Sequence, residues 1–102
     1  MRIIKESTLN KWTLRHTSAK PSLESWRKIT KRSNWSNIAQ IKETFPHADA
    51  ARVASGRSVV IFNIAGNNFR LITAIHHESG KVFLLDFLTH TEYDKQLWKR
   101  KL

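Results

Sequence analysis

The feature that most constrains the fold is a change of hydrophobic period near Ser58. Before this point, apolar residues recur every three or four positions, as on one face of an α-helix. After it, three runs rich in β-branched and aromatic residues are separated by short turns that contain glycine. The sequence therefore predicts an α+β fold, with helices in the first half and a small sheet in the second. We expect residues 1–102 to form a single domain, because about 100 residues are enough for one hydrophobic core.

The first half of the chain predicts three helices, over 6–18, 22–33 and 37–45. The first two are separated at Pro21, and Ser22 is the expected N-cap of the second. The third ends where a proline follows it, since proline cannot continue a helix.

The second half predicts a three-stranded antiparallel meander, with strands over 59–64, 69–77 and 82–88. Residues 1–4 add a short N-terminal strand. The tail, 91–102, is expected to form a short helix whose apolar side carries Tyr93, Leu97 and Trp98.

The turns of the meander predict which side chains share one end of the sheet. A turn between Ile64 and Phe69 places Asn63 opposite Arg70, and pairing Glu78 with Lys81 places Arg70 opposite Thr89. A slip of one residue would exchange the faces, but the same residues would stay at this end. We therefore expect a polar cluster here, made of Asn63, Asn67, Asn68, Arg70, His90 and Tyr93.

Composition excludes several classes of protein. The chain has no cysteine, which excludes a disulfide scaffold and a thiolate metal site and fits the reducing cytoplasm. Its longest apolar runs, Val59–Phe62 and Val82–Leu85, are far shorter than the roughly 20 residues of a membrane helix. The first twelve residues lack an apolar segment, so we expect no signal peptide.

Charge points to the kind of partner. The net charge is +10, which favours a polyanion or an acidic protein. Residues 1–58 carry twelve basic and four acidic side chains, net +8, whereas residues 59–102 carry six and four, net +2. The outer arc of the second predicted helix is a candidate RNA-binding surface, although it is equally well explained as a solvated face. Its members are Arg27, Lys28, Lys31 and Arg32.

Two blocks of this sequence resemble the HigB toxins of type II toxin–antitoxin systems. Residues 62–72 read FNIAGNNFRLI, and residues 89–95 read THTEYDK. The opening MRII and the stretch from Trp35 to Asp49 are similar to the same family. The sequence departs from the family's pattern at Asn68, where members often have lysine, and at Leu85, where they often have arginine.

The resemblance implies a RelE-like fold, in which N-terminal helices pack on a small antiparallel sheet. It implies an endoribonuclease that cleaves mRNA, generally on the translating ribosome. It also implies a helix-turn-helix, HigA-like antitoxin encoded beside the toxin, with operator DNA contacted only through that antitoxin. No cofactor is expected.

The polar cluster suits metal-independent RNA cleavage, because RNA carries its own nucleophile, the 2′-hydroxyl. Arg70 would bind the phosphate, His90 would transfer a proton, and Tyr93 would donate a hydrogen bond or stack on a base. The RNA-binding candidates near this end are Asn67, Asn68, Lys95 and Lys99. We expect no metal site, since the adjacent His76 and His77 point to opposite faces of a strand.

Each candidate also has an ordinary structural explanation. His90 would then bond only to backbone, Tyr93 would pack in the core, and Arg70 would pair with a carboxylate: Asp86, Glu92 or Asp94. Two other functions therefore stay open. One is a basic RNA- or ribosome-binding module without catalysis, and the other is a protein whose basic surface only holds an acidic segment of an antitoxin.

Overall fold

The computed structural model describes all 102 residues, in an α+β arrangement. The elements in chain order are β1 (Arg2–Ile4), α1 (Thr8–Arg15), a 3₁₀ turn (Thr17–Ala19), α2 (Lys20–Arg32), α3 (Ile38–Thr44), β2 (Asp49–Arg52), β3 (Ser58–Ile64), β4 (Phe69–His76), β5 (Lys81–Thr89), α4 (His90–Asp94) and α5 (Trp98–Lys101).

Five strands form one sheet in the order β1-β5-β4-β3-β2. The antiparallel meander β3-β4-β5 is confirmed, but the expectation of a purely antiparallel sheet was wrong, because β1 pairs with β5 in parallel. A parallel pair needs a long connection, and here most of the chain lies between the two strands. β2 was not predicted, since its sequence DAAR has no β-branched or aromatic residue and its side chains are mostly exposed.

The sheet separates two apolar clusters. The larger one lies between the sheet and helices α1 to α3, and it contains Trp26, Trp35 and Phe62. The smaller one lies on the opposite face, where the tail after β5 covers Ile61 and Ile72. Because successive strand residues face opposite sides, the residues two positions from these isoleucines also belong to the tail-covered face. Those residues are Asn63 and Arg70.

Two helix boundaries differ from expectation. α1 ends at Arg15, and a 3₁₀ turn follows it where the first predicted helix was expected to continue. That turn leads directly into α2, which begins at Lys20 with Pro21 in its first turn. Ser22 is therefore inside the helix, not its N-cap. The chain enters α2 already in helical conformation at Ala19, and proline is well tolerated in a first turn.

The predicted register is confirmed for β3 with β4, and it is shifted by one residue at Arg70 for β4 with β5. Asn63 lies opposite Arg70, as predicted. Arg70, however, lies opposite Leu88, and Thr89 pairs with Phe69. The second hairpin closes at His76 and Lys81, and a bulge in β5 then changes the pairing by one residue.

The tail forms two short helices where one was expected. They are separated at Gln96, whose φ is +60°, a left-handed conformation that interrupts a helix. Tyr93 and Trp98 pack together on the sheet, but Leu97 is 56% exposed, so the expectation that all three share an apolar side was wrong for Leu97.

Candidate functional site

Arg70 is held at the end of β4 by main-chain oxygens. Its Nη1 donates to the main-chain oxygens of Asn67, at 3.0 Å, and Phe69, at 3.1 Å. Its Nη2 lies 3.5 Å from Asn67 Oδ1, which also accepts from Asn63 Nδ2 at 3.4 Å. These bonds leave Nε and much of Nη2 available to an anion, in the fork geometry that suits a phosphate.

No carboxylate neutralises Arg70. The three ion pairs of the chain all join Glu6 or Glu24 to α2, on the other side of the sheet. The alternative in which Arg70 pairs with Asp86, Glu92 or Asp94 is therefore wrong. The guanidinium keeps its full charge for a ligand.

Tyr93, in the tail, contacts both Arg70 and Trp98. The guanidinium carbon of Arg70 is 5.3 Å from the centroid of the Tyr93 ring, a cation–π distance. Trp98 stacks on the same ring with centroids 5.2 Å apart, and its Nε1 donates to the main-chain oxygen of Tyr93 at 3.0 Å. Because the ring is engaged by these contacts, the hydroxyl is the part of Tyr93 left for a substrate.

The Tyr93 hydroxyl keeps its proton at neutral pH. Burial raises the pKa of Tyr93, the negative charges of Asp49 and Asp94 raise it further, and Arg70 opposes them only in part. A tyrosine with a raised pKa is a hydrogen-bond donor and not a general base. The site therefore offers a neutral donor beside a fixed positive charge.

Local contacts fix the tail in this position. α4 begins with a capping box, in which Thr89 Oγ1 accepts from the Glu92 main-chain nitrogen and Glu92 Oε1 accepts from that of Thr89. α5 is tied to the β2–β3 loop, where the nitrogen of Ala54 donates to the oxygen of Lys99 at 2.8 Å. Both ends of the tail are thus anchored, which holds Tyr93 over the sheet.

His90 is exposed at the first position of α4. Its main-chain nitrogen donates to the oxygen of Asn68 at 2.9 Å, whereas its imidazole makes no hydrogen bond within the chain. His90 and Tyr93 are three residues apart on one helix, so their side chains are neighbours. An exposed imidazole that makes no hydrogen bond, at the same end of the sheet as Arg70, is suited to proton transfer.

A second histidine, His47, lies at the same end of the sheet. It lines an open polar cleft together with Asn63, Gly66 and Asn67. The pairing of Asp49 with Ile61, continued by two residues, brings His47 beside Asn63. Sequence reasoning missed His47 because it missed β2. The strand order places His47 and His90 on opposite sides of Arg70.

Of the four RNA-binding candidates of this end, the structure brings Asn67 and Asn68 to the cluster. Asn67 faces the guanidinium, and Asn68 is exposed in the same loop. Lys95 lines a cavity against β5. Lys99 belongs to α5, which is bonded to the β2–β3 loop at the opposite end of the sheet, and its ammonium lies 5.6 Å from the centroid of the Trp98 ring. The expectation that Lys99 lies near Arg70 was therefore wrong. The loop conformation comes from positive φ angles at Ala65 and Gly66, and not from the asparagines.

The basic arc of α2 does not belong to this cluster. α2 packs on the other face of the sheet through Leu23 and Trp26. Glu6 accepts from Arg27 at 2.9 Å and lies 3.2 Å from Lys31, and Glu24 accepts from Arg27 at 3.1 Å. Only Lys28 and Arg32 in the arc are without an ion pair.

The two residues that depart from the family's pattern, Asn68 and Leu85, lie in different parts of the fold. Asn68 belongs to the loop that holds Arg70. Leu85 packs against the smaller apolar cluster and lines an open cleft with Ala74, His76 and Phe83. A leucine at this position adds apolar area to the sheet face.

A model of the HigB toxin family, described as the RelE-like toxic component of a toxin–antitoxin system, matches residues 19–96. The chain belongs to the HigB toxin family. An mRNA interferase HigB of Escherichia coli O6:H1 (strain CFT073) is 23% identical over 95 residues, which cover 93% of this chain and 90% of that relative. The mRNA interferase toxin HigB of Escherichia coli K12 and the mRNA interferase HigB of Shigella flexneri are each 33% identical over 54 residues.

These last two matches span 53% of this chain and 50% of each relative. Membership in the HigB family confirms the resemblance, and the α+β arrangement is compatible with a RelE-like fold. The chain is thus the toxic component of a toxin–antitoxin system, and the system implies an antitoxin as its partner. None of its helices is long and apolar enough to cross a membrane.

Proposed function

We propose that this HigB-family toxin is an endoribonuclease that cleaves mRNA, in the cytoplasm and on the ribosome, by attack of the 2′-hydroxyl on the adjacent phosphate. The observation that carries the proposal is the unneutralised Arg70, whose guanidinium is oriented by two main-chain oxygens beside the Tyr93 ring. The names of its relatives, which are mRNA interferases, support the same reaction.

The proposed step needs a base, an acid and stabilisation of negative charge. The base removes the proton of the 2′-hydroxyl, whose oxygen then bonds to phosphorus. The bond from phosphorus to the 5′-oxygen breaks, and the acid protonates that oxygen. The products are a 2′,3′-cyclic phosphate and a 5′-hydroxyl.

The residues of the cluster divide these roles between them. Arg70 and the Tyr93 hydroxyl stabilise the charge that builds up on the phosphate oxygens, which is often the largest contribution to catalysis. His90 and His47, on either side, are the groups for proton transfer, since imidazoles exchange protons near neutral pH. Asn67 and Asn68 contact the RNA at the loop.

Growth and RNA chemistry together test the proposal. We expect induced expression in bacteria to arrest growth and to create new mRNA ends. Fragments recovered from purified toxin and translating ribosomes should carry 2′,3′-cyclic phosphate or 3′-phosphate ends. Ends that bear a 3′-hydroxyl would contradict the proposed chemistry. End-group analysis is preferable to adding a chelator, because ribosomes need Mg²⁺ themselves.

We also propose that a helix-turn-helix, HigA-like antitoxin neutralises the toxin, and that the toxin reaches operator DNA only through it. The strong positive charge suits an acidic segment of such a partner. Co-expression with the adjacent reading frame should restore growth, and copurification should recover the complex.

The competing function is a basic RNA- or ribosome-binding module without catalysis. The separation of Lys28 and Arg32 from Arg70 by the whole sheet favours it, because a binding surface could act there without the cluster. Growth arrest that persists without new mRNA ends would support this alternative.

A further inference from the structure

Three neighbouring strands carry basic side chains at the end of the sheet away from the polar cluster. Arg2 on β1 pairs with Lys81 on β5, and Lys81 pairs with His76 on β4. The next residues along β1 and β5, Ile3 and Val82, belong to the larger apolar cluster on the helical side. Because successive strand residues face opposite sides, these three basic side chains, here called the basic row, point to the tail-covered face.

A second row on the same face is apolar. It lies two residues further into each strand, where Ile4 pairs with Phe83 and Phe83 pairs with Ala74. An antiparallel sheet that turns one face to water normally carries polar side chains on that face. An apolar row in this position is therefore the kind of surface that a partner covers.

An open cleft of about 390 Å³ lies at the apolar row. Its walls are Arg57, Ala74, His76, Phe83 and Leu85. The rings of His76 and Phe83 pack together with centroids 4.8 Å apart, and Leu85 also packs against the smaller apolar cluster. An apolar side chain placed in the cleft would thus extend the cluster that the tail already covers.

The charges around the cleft are positive. Arg2, Arg57 and Lys81 form no ion pair, since every ion pair of the chain belongs to α2. The acidic residues of this region, Glu78 and Asp86, do not neutralise them. A partner that matches this surface therefore carries carboxylates beside an apolar side chain.

We propose that the cleft and the basic row form the docking surface for an acidic segment of the antitoxin; this rests on the proposed neutralisation of the toxin by that partner. One apolar side chain of the segment fills the cleft against Phe83. Carboxylates on either side of it pair with Lys81 and Arg57, whose positive charges have no partner within the chain.

The surface suits an acidic protein segment better than RNA or a second copy of this chain. An RNA backbone supplies negative charge but no aliphatic group to fill the cleft, and the Phe83 ring is already packed against His76. A second copy would bring two basic rows together, in chains that each carry a net charge of +10.

Charge reversal in the basic row tests the surface. The probe is the antitoxin encoded by the adjacent reading frame, both co-expressed with the toxin and purified. Arg2→Glu with Lys81→Glu sets carboxylates against those of the segment, so the dissociation constant from calorimetry should rise about 100-fold. In cells, this double variant should arrest growth even when the antitoxin is present, and it should not copurify with it.

A second double variant is the matched control. Lys11→Glu with Lys42→Glu makes the same change of net charge at exposed positions of α1 and α3, on the other face of the sheet. It should bind the antitoxin as the wild type does. An equal loss of affinity in this control would show that only net charge matters, and would overturn the docking surface.

Phe83→Ala tests the apolar contact separately. Removal of a ring that packs at the centre of an interface should weaken binding about thirtyfold, in a variant whose fold is checked by circular dichroism. Unchanged affinity of the folded Arg2→Glu, Lys81→Glu variant would overturn the proposal whatever Phe83→Ala does, since these two side chains lie outside the core.

Three results separate this proposal from the others. Wild-type toxin that the antitoxin neither binds nor neutralises would overturn the proposed partner, and the docking surface with it. Variants of the basic row that lose affinity for ribosomes but keep it for the antitoxin would assign the row to RNA and overturn the proposal. Docking confirmed without new mRNA ends would remove the ribonuclease function and leave the surface.

Discussion

The guanidinium of Arg70 lies over the ring of Tyr93, 5.3 Å from its centroid, although the two residues belong to different elements. Arg70 is on β4, and Tyr93 is on the helix that follows β5. The contact joins the central sheet to the tail, and it holds the guanidinium of Arg70 on the tail-covered face of the sheet. Two main-chain oxygens and the Tyr93 ring thus orient Arg70, and no carboxylate neutralises its charge.

Replacement of Arg70 should abolish toxicity. Loss of one charge-assisted contact to a transition state costs on the order of 2.7–4 kcal/mol, or about 10²–10³ in rate. Arg70→Ala should therefore end growth arrest, as measured by colony counts after induction, with the fold unchanged by circular dichroism. Arg70→Lys should not restore activity if the fork binds two phosphate oxygens. Arg2→Ala, an exposed arginine on β1, is the control and should stay toxic.

The two histidines beside Arg70 should control the pH dependence of cleavage. Glutamine keeps the size of histidine but cannot titrate, so His90→Gln and His47→Gln should each slow cleavage, on the order of 10²-fold, and each should remove one limb of the pH–rate profile. His76→Gln, at the far end of β4, is the matched control. Full activity and an unchanged profile in both variants would exclude proton transfer by these imidazoles.

The basic arc of α2 should divide into two functional pairs. Lys28 and Arg32 have no ion pair, so their replacement by alanine should lower the slope of log affinity against log salt for ribosomes by about 0.7–0.9 per lost phosphate contact. Arg27 and Lys31 form ion pairs with Glu6, so their replacement should lower the free energy of unfolding and change the salt slope little. An unchanged slope in the quadruple alanine variant would show that the arc is only a solvated face.

Stability should fall in acid because of Glu6. Burial alone would raise the pKa of Glu6, but the hydrogen bonds and charges of Arg27 and Lys31 outweigh it and hold the pKa below its ordinary value of 4.5. Because the pKa of Glu6 is lower in the folded state than in the unfolded state, ionised Glu6 stabilises the fold at pH values above its ordinary pKa. This stabilisation is lost as the pH falls through the lowered pKa of the folded state.

Denaturant titrations of Glu6→Gln check this linkage. The variant should be less stable than the wild type at about pH 6, and the difference should be smaller at about pH 3, because Glu6 gains protons as the pH falls towards its lowered pKa. Glu43→Gln, which removes an exposed carboxylate without an ion pair, should show no such dependence. A constant difference at both values would mean that the Glu6 ion pairs contribute nothing to folding.

The sequence alone predicted the α+β class, the meander and the pairing of Asn63 with Arg70. These depend on local signals, namely the period of apolar residues and the turn between Ile64 and Phe69, which act over a few residues of chain. The clustering of Arg70, His90 and Tyr93 at one end followed from the same local geometry. To predict this clustering, only the direction of each strand was needed.

Tertiary structure alone decided what depends on distant segments. β2 has little intrinsic strand preference and forms because β3 offers an unpaired edge, and only this pairing brings His47 to the site. Glu6 neutralises Arg27 across 21 residues of sequence, and the sheet separates the α2 arc from Arg70. Pairings of this kind are set by packing of the whole chain, which periodicity within one segment does not encode.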